Sequence, residues 1–443
     1  MLKIRHLSAE VSRLLLAATF LYSGFVKSVD PMGSAIKIGE YLGIAGISLP
    51  FGLTVAFAIA LSSLEFMLGA NALVGTYRKL NSRLLLWLVA FMTGLTLYLA
   101  IFNPVKDCGC FGDAIKLTNW QTFGKNVVLL LASIVLAFNY RHVWPLTSPR
   151  MGHVCTGLAL AGILSFSFLN YRYLPAFDFR PFKVGANFEA IVTIPQGEQA
   201  DIYDYVFVYE QDGLKEDFPL DSLPDSTWTF VERRERLVKK GYQPPVPDFT
   251  AFTLDGEDVT KQIIEAANNI TDMGYGGMIL VLSPKLSEMH PSTAGRIEQL
   301  QKIANKIDVP FGLLTGSDEN EINAWRNQAK DTISTYISDA TILKTMARAN
   351  PSLMILSKGL IAGKYSFLSL PKDEATLASF VQRRMSGDSV YVDKGFPLGR
   401  TILLWGWAGL ILVALIYKLI ALKSPPKLPK AKTRTEDIAR NNT

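Results

Sequence analysis

The chain has 443 residues, 49% of them hydrophobic and 19% charged, with a formal net charge of +6 and a mean hydropathy of +0.21. That length suggests two or three folding units, and that balance is too apolar for an ordinary soluble protein. The basic residues cluster beside apolar runs, as membrane flanks do, which argues against nucleic acid as their partner.

Six apolar segments are candidates to cross a bilayer, a task that takes about 20 helical residues. In chain order they are residues 11–26, 50–74, 84–102, 127–138, 154–169 and 401–422. The fourth is long enough if it starts near Trp120, which puts Lys125 and Asn126 in its first turns. The first is followed by GFVKSVDP and not by a small-residue cleavage site, so it is expected to stay as a span. Lys and Arg gather in TYRKLNSR, in NYRHVWPLTSPR and in the tail after Leu422, which holds six basic and two acidic residues. All three lie on one side if both termini are cytoplasmic. The segment near Asp30, the stretch DCGCFGD and residues 174–400 are then exterior, the periplasm of a didermic bacterium.

The expected fold class is mixed. Residues 1–173 form an α-helical five-span bundle, residues 174–243 a small β-rich segment and residues 244–399 an external α/β domain. Residues 400–422 form a last anchor and residues 423–443 a disordered basic tail, expected to be cytoplasmic. In the β-rich segment IYDYVFVYEQDGLKEDFPL reads as a hairpin about its Asp-Gly turn. Further on, GGMILVLSP and VPFGLLTG read as buried strands, STAGRIEQLQKIANKI and ENEINAWRNQAK as helices, and SLMILSKGLIAGKYSFL as a hairpin turning at Lys358 and Gly359. That order predicts a mixed sheet.

Only three cysteines exist, and Cys108 and Cys110 are separated by a single glycine. A bridge between residues i and i+2 needs a bent backbone, which Gly109 permits. A ring that small closes almost no loop, so it stabilises little. The pair admits three readings: a redox couple, an inert turn, or ligands of a metal. For the last, His290 is the one histidine expected on the same side. Cys155 reads as a small hydrophobe in a span. Glu65 lies in mid-span, where a carboxylate is costly and marks a functional position. It could be protonated, bonded to Asn71 on a nearby turn, or paired with a cation, the candidates being Arg13, Lys27 and Lys125. A structural bond between helices fits it equally.

RLLLAATFLYSGFVKSVDP is similar to the first-helix signature of DoxX-like proteins, and Glu65 occupies the place of that family's second-helix carboxylate. CGCFGD followed by LTNWQTFGKN resembles the MauE branch, named for methylamine utilisation, over residues 8–145. The resemblance implies a role in maturing disulfide-containing periplasmic enzymes, with Cys108 and Cys110 as the catalytic pair. It also implies a bundle comparable with quinone-coupled thiol oxidases, which makes a quinone the cofactor to consider. The chain has no second cysteine pair for the relay such oxidases use. PPVPDFTAFTLDGEDVT resembles the opening of TlpA-like and peroxiredoxin-like proteins, and RANPSLMILSKGLIAGKY the thioredoxin-fold segment in which a proline, often cis, precedes a hairpin. Pro351 is that proline. KLSEMHPS stands where the C-x-x-C would be, and no cysteine follows residue 155. The combination resembles envelope proteins of Bacteroidota.

Two functions follow as expectations. One is an inner-membrane protein supporting thiol–disulfide chemistry through the C-x-C pair, as an oxidoreductase or its accessory subunit. The other is a non-enzymatic scaffold whose thioredoxin-like domain binds an envelope partner. Both place the chain in the lipid bilayer and neither involves nucleic acid.

Overall fold

The computed structural model describes residues 2–105, 108–195, 197–270, 274–328 and 333–386. The sixth apolar segment, the basic tail, Lys106 and Asp107 lie outside the described residues. Two compact units meet in sequence at Phe168 and Leu169.

The first unit is helical: α1 (Leu2–Val29), α2 (Pro31–Ile44), α3 (Phe51–Val74), α4 (Arg78–Phe102), α5 (Asn119–Asn139) and α6 (Pro149–Arg172). All but α2 are long and apolar enough to cross a membrane. Their ends are chemically marked. Gly75 closes α3 at φ 78°, and Asn103 closes α4 at φ 47°. Thr118 and Gln121 form a reciprocal capping box at the start of α5, satisfying two of the N–H groups that a helix start leaves free. Thus α5 does begin early enough to hold Lys125 and Asn126.

The anticipated loop near Asp30 is instead α2. Asp30 accepts a hydrogen bond from Gly33 N at 2.9 Å, and Pro31 stands at the first helical position. Both features favour a helix start. At 14 residues α2 is too short to span.

Helices α1, α3, α4 and α5 share a core that includes Leu16, Leu68, Leu85 and Leu129. α1 and α3 cross with their backbones nearly touching. A Cβ on Gly24 would fall 2.5 Å from Phe66 N, and one on Gly69 would fall 2.6 Å from Leu21 N. Small residues at a crossing permit that approach within a membrane. α6 joins the group through Phe166 stacked on Phe25 at 5.5 Å and through Thr156, whose hydroxyl donates to Asn71 Oδ1 at 2.6 Å.

The second unit contains α7 (Phe188–Val192), β1 (Ile202–Gln211), β2 (Leu214–Pro219), β3 (Thr229–Lys239), α8 (Thr260–Asn268), β4 (Met278–Ser283), α9 (Thr293–Lys306), β5 (Phe311–Thr315), α10 (Glu319–Gln328), β6 (Thr335–Ile337), α11 (Ala340–Met346), β7 (Ser352–Ser357), β8 (Leu360–Ser366) and α12 (Glu374–Met385). β1, β2 and β3 form an antiparallel sheet in the order β2-β1-β3. Its tight turn is Asp212–Gly213, both at positive φ, as the Asp-Gly pair predicts.

The second sheet runs β6-β5-β4-β7-β8. β4, β5 and β6 are parallel, and β7 and β8 add an antiparallel hairpin beside β4. β4 is buried along its whole length, and its alternate residues face two cores. Ile279 and Val281 pack with Ile297 and Val381, while Leu280 and Leu282 pack with Phe188 and Ile263. Residues 174–192, expected with the β-rich segment, pack in that second core, where Phe182 and Phe188 are fully buried. Lys364 pins them. Its ammonium donates to Asp178 Oδ2 at 2.6 Å, Phe182 O at 2.8 Å and Met346 O at 2.6 Å. Burial first, and then Arg180, draw the Lys364 ammonium down to about 7, against the opposing pull of Asp178. The Asn350–Pro351 bond that leads into β7 is cis.

Candidate functional site

Ser23 and Lys27 are one turn apart on α1, and the close crossing at Gly24 brings both against Glu65 of α3. Lys27 Nζ lies 2.6 Å from Glu65 Oε1 and 2.8 Å from Oε2. Ser23 Oγ lies 2.8 Å from Glu65 Oε2 and 2.9 Å from the Cys110 carbonyl oxygen. One hydroxyl proton serves both acceptors in turn, while Lys27 donates to the same oxygen at 3.2 Å. Glu65 is 4% exposed, so this ion pair is fully desolvated and depends on its hydrogen bonds.

Of the partners anticipated for Glu65, the structure chooses Lys27. Arg13 bonds Glu10 at 2.6 Å instead and donates to Trp144 O at 3.1 Å. Lys125 stands over the Phe111 ring, 4.2 Å from its centroid. Asn71 receives Thr76 and Thr156. Asn126 donates to Thr96 Oγ1 at 3.1 Å and Met92 O at 3.3 Å, tying α5 to α4.

The C-x-C segment folds back over this cluster. Gly109 (φ 63°) and Gly112 (φ 52°) supply the two left-handed residues its turns require. Both thiols are free, and their sulfurs are 3.0 Å apart. They are not equivalent. Cys108 is 7% exposed and is covered by α2, where the Tyr41 hydroxyl donates to its carbonyl. Cys110 is half-buried and lies between two cavities. One is a cleft of about 40 Å³ whose polar groups include Ser23, Lys27, Glu65, Lys125 and Asn126 and whose apolar wall includes Met92 and Leu129. The other is a shallow depression walled by residues from Gly109 to Thr122. The Cys110 thiol is drawn down to about 6. The hydrogen bond from Cys108 is the largest cause, aided by Lys125 and Lys27 against burial and Glu65. Cys108 is pushed upward, first by that same bond and then by burial. Within the pair, thiolate character is favoured on Cys110 over Cys108.

Residues 5–139 match the family described as methylamine utilisation protein MauE. They form a MauE family domain. That domain contains every residue of the cluster just described, and the matched span falls close to the anticipated 8–145. Residues 203–240, which hold nearly all of the β2-β1-β3 sheet, match a domain of unknown function, DUF8463. No curated protein and no solved structure matches the chain.

Ser23 and Tyr41 were not among the anticipated residues of the MauE domain site. Ser23 follows from Lys27 by helical spacing, since i and i+4 share a face. Tyr41 needed α2, whose Asp-Pro start was legible in SVDPMGSAIKIGEYLGI. Among the described residues no cluster of His, Cys, Asp and Glu is fit to hold a metal ion.

Proposed function

We propose that the MauE domain carries out thiol–disulfide exchange with an envelope protein through Cys108 and Cys110. The observation that carries this reading is the geometry of the pair: two free sulfurs 3.0 Å apart, one buried beneath α2 and the other lining two cavities. Cys110 attacks a partner disulfide, forming a mixed disulfide and releasing one partner thiolate, which takes the Cys108 proton. Cys108 then attacks Cys110 Sγ and releases the second partner thiolate. The partner gains two electrons, and the pair becomes a disulfide that a dithiol reductant must reopen. Run backwards, the same steps oxidise a partner dithiol. Lys27 and Lys125 favour the thiolate, and Glu65 fixes Lys27.

The cleft beside Cys110 has an apolar wall and two cations, but at about 40 Å³ it holds little more than a water and does not fit a quinone headgroup. In the second unit, three parallel strands flanked by a hairpin, with Pro351 ahead of β7, support a thioredoxin-like reading. Without cysteine after residue 155, such a domain recruits the partner and leaves the chemistry to the MauE domain.

The test is trapping in cells. Cys108→Ser is expected to accumulate a mixed disulfide through Cys110, and Cys110→Ser is not. Alkylation of Cys110 in the reduced protein should rise through about pH 6, since thiolate forms above the lowered value and the free residue titrates near 8.5. A double Cys→Ser variant that fully complements a deletion strain would leave only the scaffold reading.

A further inference from the structure

A larger cavity, of about 570 Å³, opens at the opposite end of the helix bundle from the thiols. That volume is in the range of small-molecule sites. The turn between α3 and α4 and the connection from α5 to α6 form its walls. Arg78, Lys79, Arg141 and His153 line it, and its described lining holds no carboxylate. Glu10, which is bonded to the same connection, is already engaged by Arg13 and by Trp144 N–H.

The walls are braced. Arg78 Nη1 donates to Val143 O at 2.9 Å, and Leu146 N donates to Val74 O at 2.8 Å. Arg13 reaches both strands of this end through Leu73 O and Trp144 O. Thr147, one of the lining residues, keeps its hydroxyl turned into the protein. Thr147 Oγ1 is buried and has no hydrogen-bond partner among the described residues. α4 and α6 both start here, without an acidic residue in the first turn of either. α4 has no side-chain cap. Their free N–H groups add to the positive field.

We propose that this cavity binds a phosphate-bearing anion, the headgroup of an anionic phospholipid. Arg78, Lys79, Arg141 and His153 in the lining, with two helix starts, converge on the chemistry a phosphate presents. Lipid is favoured over soluble phosphate by the setting. The cavity lies where four spans have their ends, and Tyr77, Leu80 and Trp144 are exposed around it at 44%, 58% and 64%. Aromatic and apolar residues at a span end sit at headgroup level.

The full-length protein, stripped of lipid in detergent, is titrated with phosphatidylglycerol or phosphatidylcholine and read by native mass spectrometry. Phosphatidylglycerol is expected to bind preferentially, and Lys79→Gln/Arg141→Gln to weaken it about 30-fold while leaving phosphatidylcholine unchanged. If the double variant melts below wild type, Lys79→Gln alone is used, since its exposed side chain makes no bond among the described residues. Its expected loss is about fivefold. Inorganic phosphate that binds and displaces the lipid would uphold the anion site and assign it a soluble ligand. Equal binding of the two lipids, or phosphatidylglycerol binding untouched by the substitutions, would overturn the proposal.

Discussion

Replacing Glu65 with glutamine leaves the Lys27 ammonium in a desolvated place with no counter-charge. Breaking one partner of a buried pair costs about 3–5 kcal/mol. The expected result for Glu65→Gln is a lower melting temperature in detergent and a Cys110 thiol that differs from wild type in alkylation rate. Lys27→Met combined with Glu65→Leu should recover most of the stability, because it removes both charges together. It should not recover the fast alkylation, because one of the two cations near Cys110 is gone. If the double variant alkylates like wild type, Lys27 has no part in activating the thiol. This separation distinguishes an ion pair that merely joins α1 to α3 from one that also serves the cysteine. At this scale the sequence was informative but incomplete. The depth of Glu65 announced a partner, yet Arg13, Lys27 and Lys125 were equivalent on paper. The choice depended on helix rotation, which no spacing rule supplies.

Between α1 and α3 the packing leaves no room for a side chain at Gly24. Its Cβ would meet Phe66 N at 2.5 Å and Ser62 O at 2.7 Å, both backbone atoms that cannot turn aside. Gly24→Leu is therefore expected to part the two helices, destabilise the bundle by about 1–3 kcal/mol or more, and lengthen the Lys27–Glu65 contact. Thermal unfolding in detergent measures the first effect, and a slower Cys110 reaction the second. Gly39, where a Cβ meets nothing within 4 Å, provides the control, and Gly39→Ala should leave both unchanged. Element by element, the strongly patterned segments were legible: five apolar helices, the Asp-Gly hairpin, and the buried strands β4, β5, β7 and β8. α2 was missed because a 14-residue helix with mixed polarity resembles a loop when one is counting spans. β6 was missed because three residues carry too little period to register.

For the whole molecule, the distribution of Lys and Arg makes a prediction about sides. The ends of the bundle carry different loops: Gly75–Tyr77 and residues 140–148 at one, the C-x-C segment at the other. Single cysteines placed at Lys79 and at Lys116, in a Cys108→Ser/Cys110→Ser/Cys155→Ser background, should show opposite access to an impermeant maleimide in intact cells. Lys116 is expected to react from outside and Lys79 only after permeabilisation. Labelling of both from the same side would refute the alternating spans. The division into a helical unit and a mixed-sheet unit could be read from hydropathy alone. The inclusion of residues 174–192 in the core of the second sheet could not. Phe182 and Phe188 are just apolar residues in a linker until a sheet face is there to receive them.

The short gap between the two sulfurs also bears on oxidative damage. A peroxide that reaches the Cys110 thiolate converts it to a sulfenic acid. At 3.0 Å the Cys108 thiol lies within reach, and condensation expels water and forms a bridge. That reaction is intramolecular and competes well against a second peroxide, which would have to arrive from solution to make the irreversible sulfinic acid. α2 meanwhile shields Cys108 from the first oxidant. The one-residue spacing would thus work as a fuse, stopping oxidation at a rung a reductant can reverse. Peroxide-treated protein should yield the Cys108–Cys110 bridge by mass spectrometry, and Cys108→Ser should yield sulfinic acid at Cys110 under the same exposure.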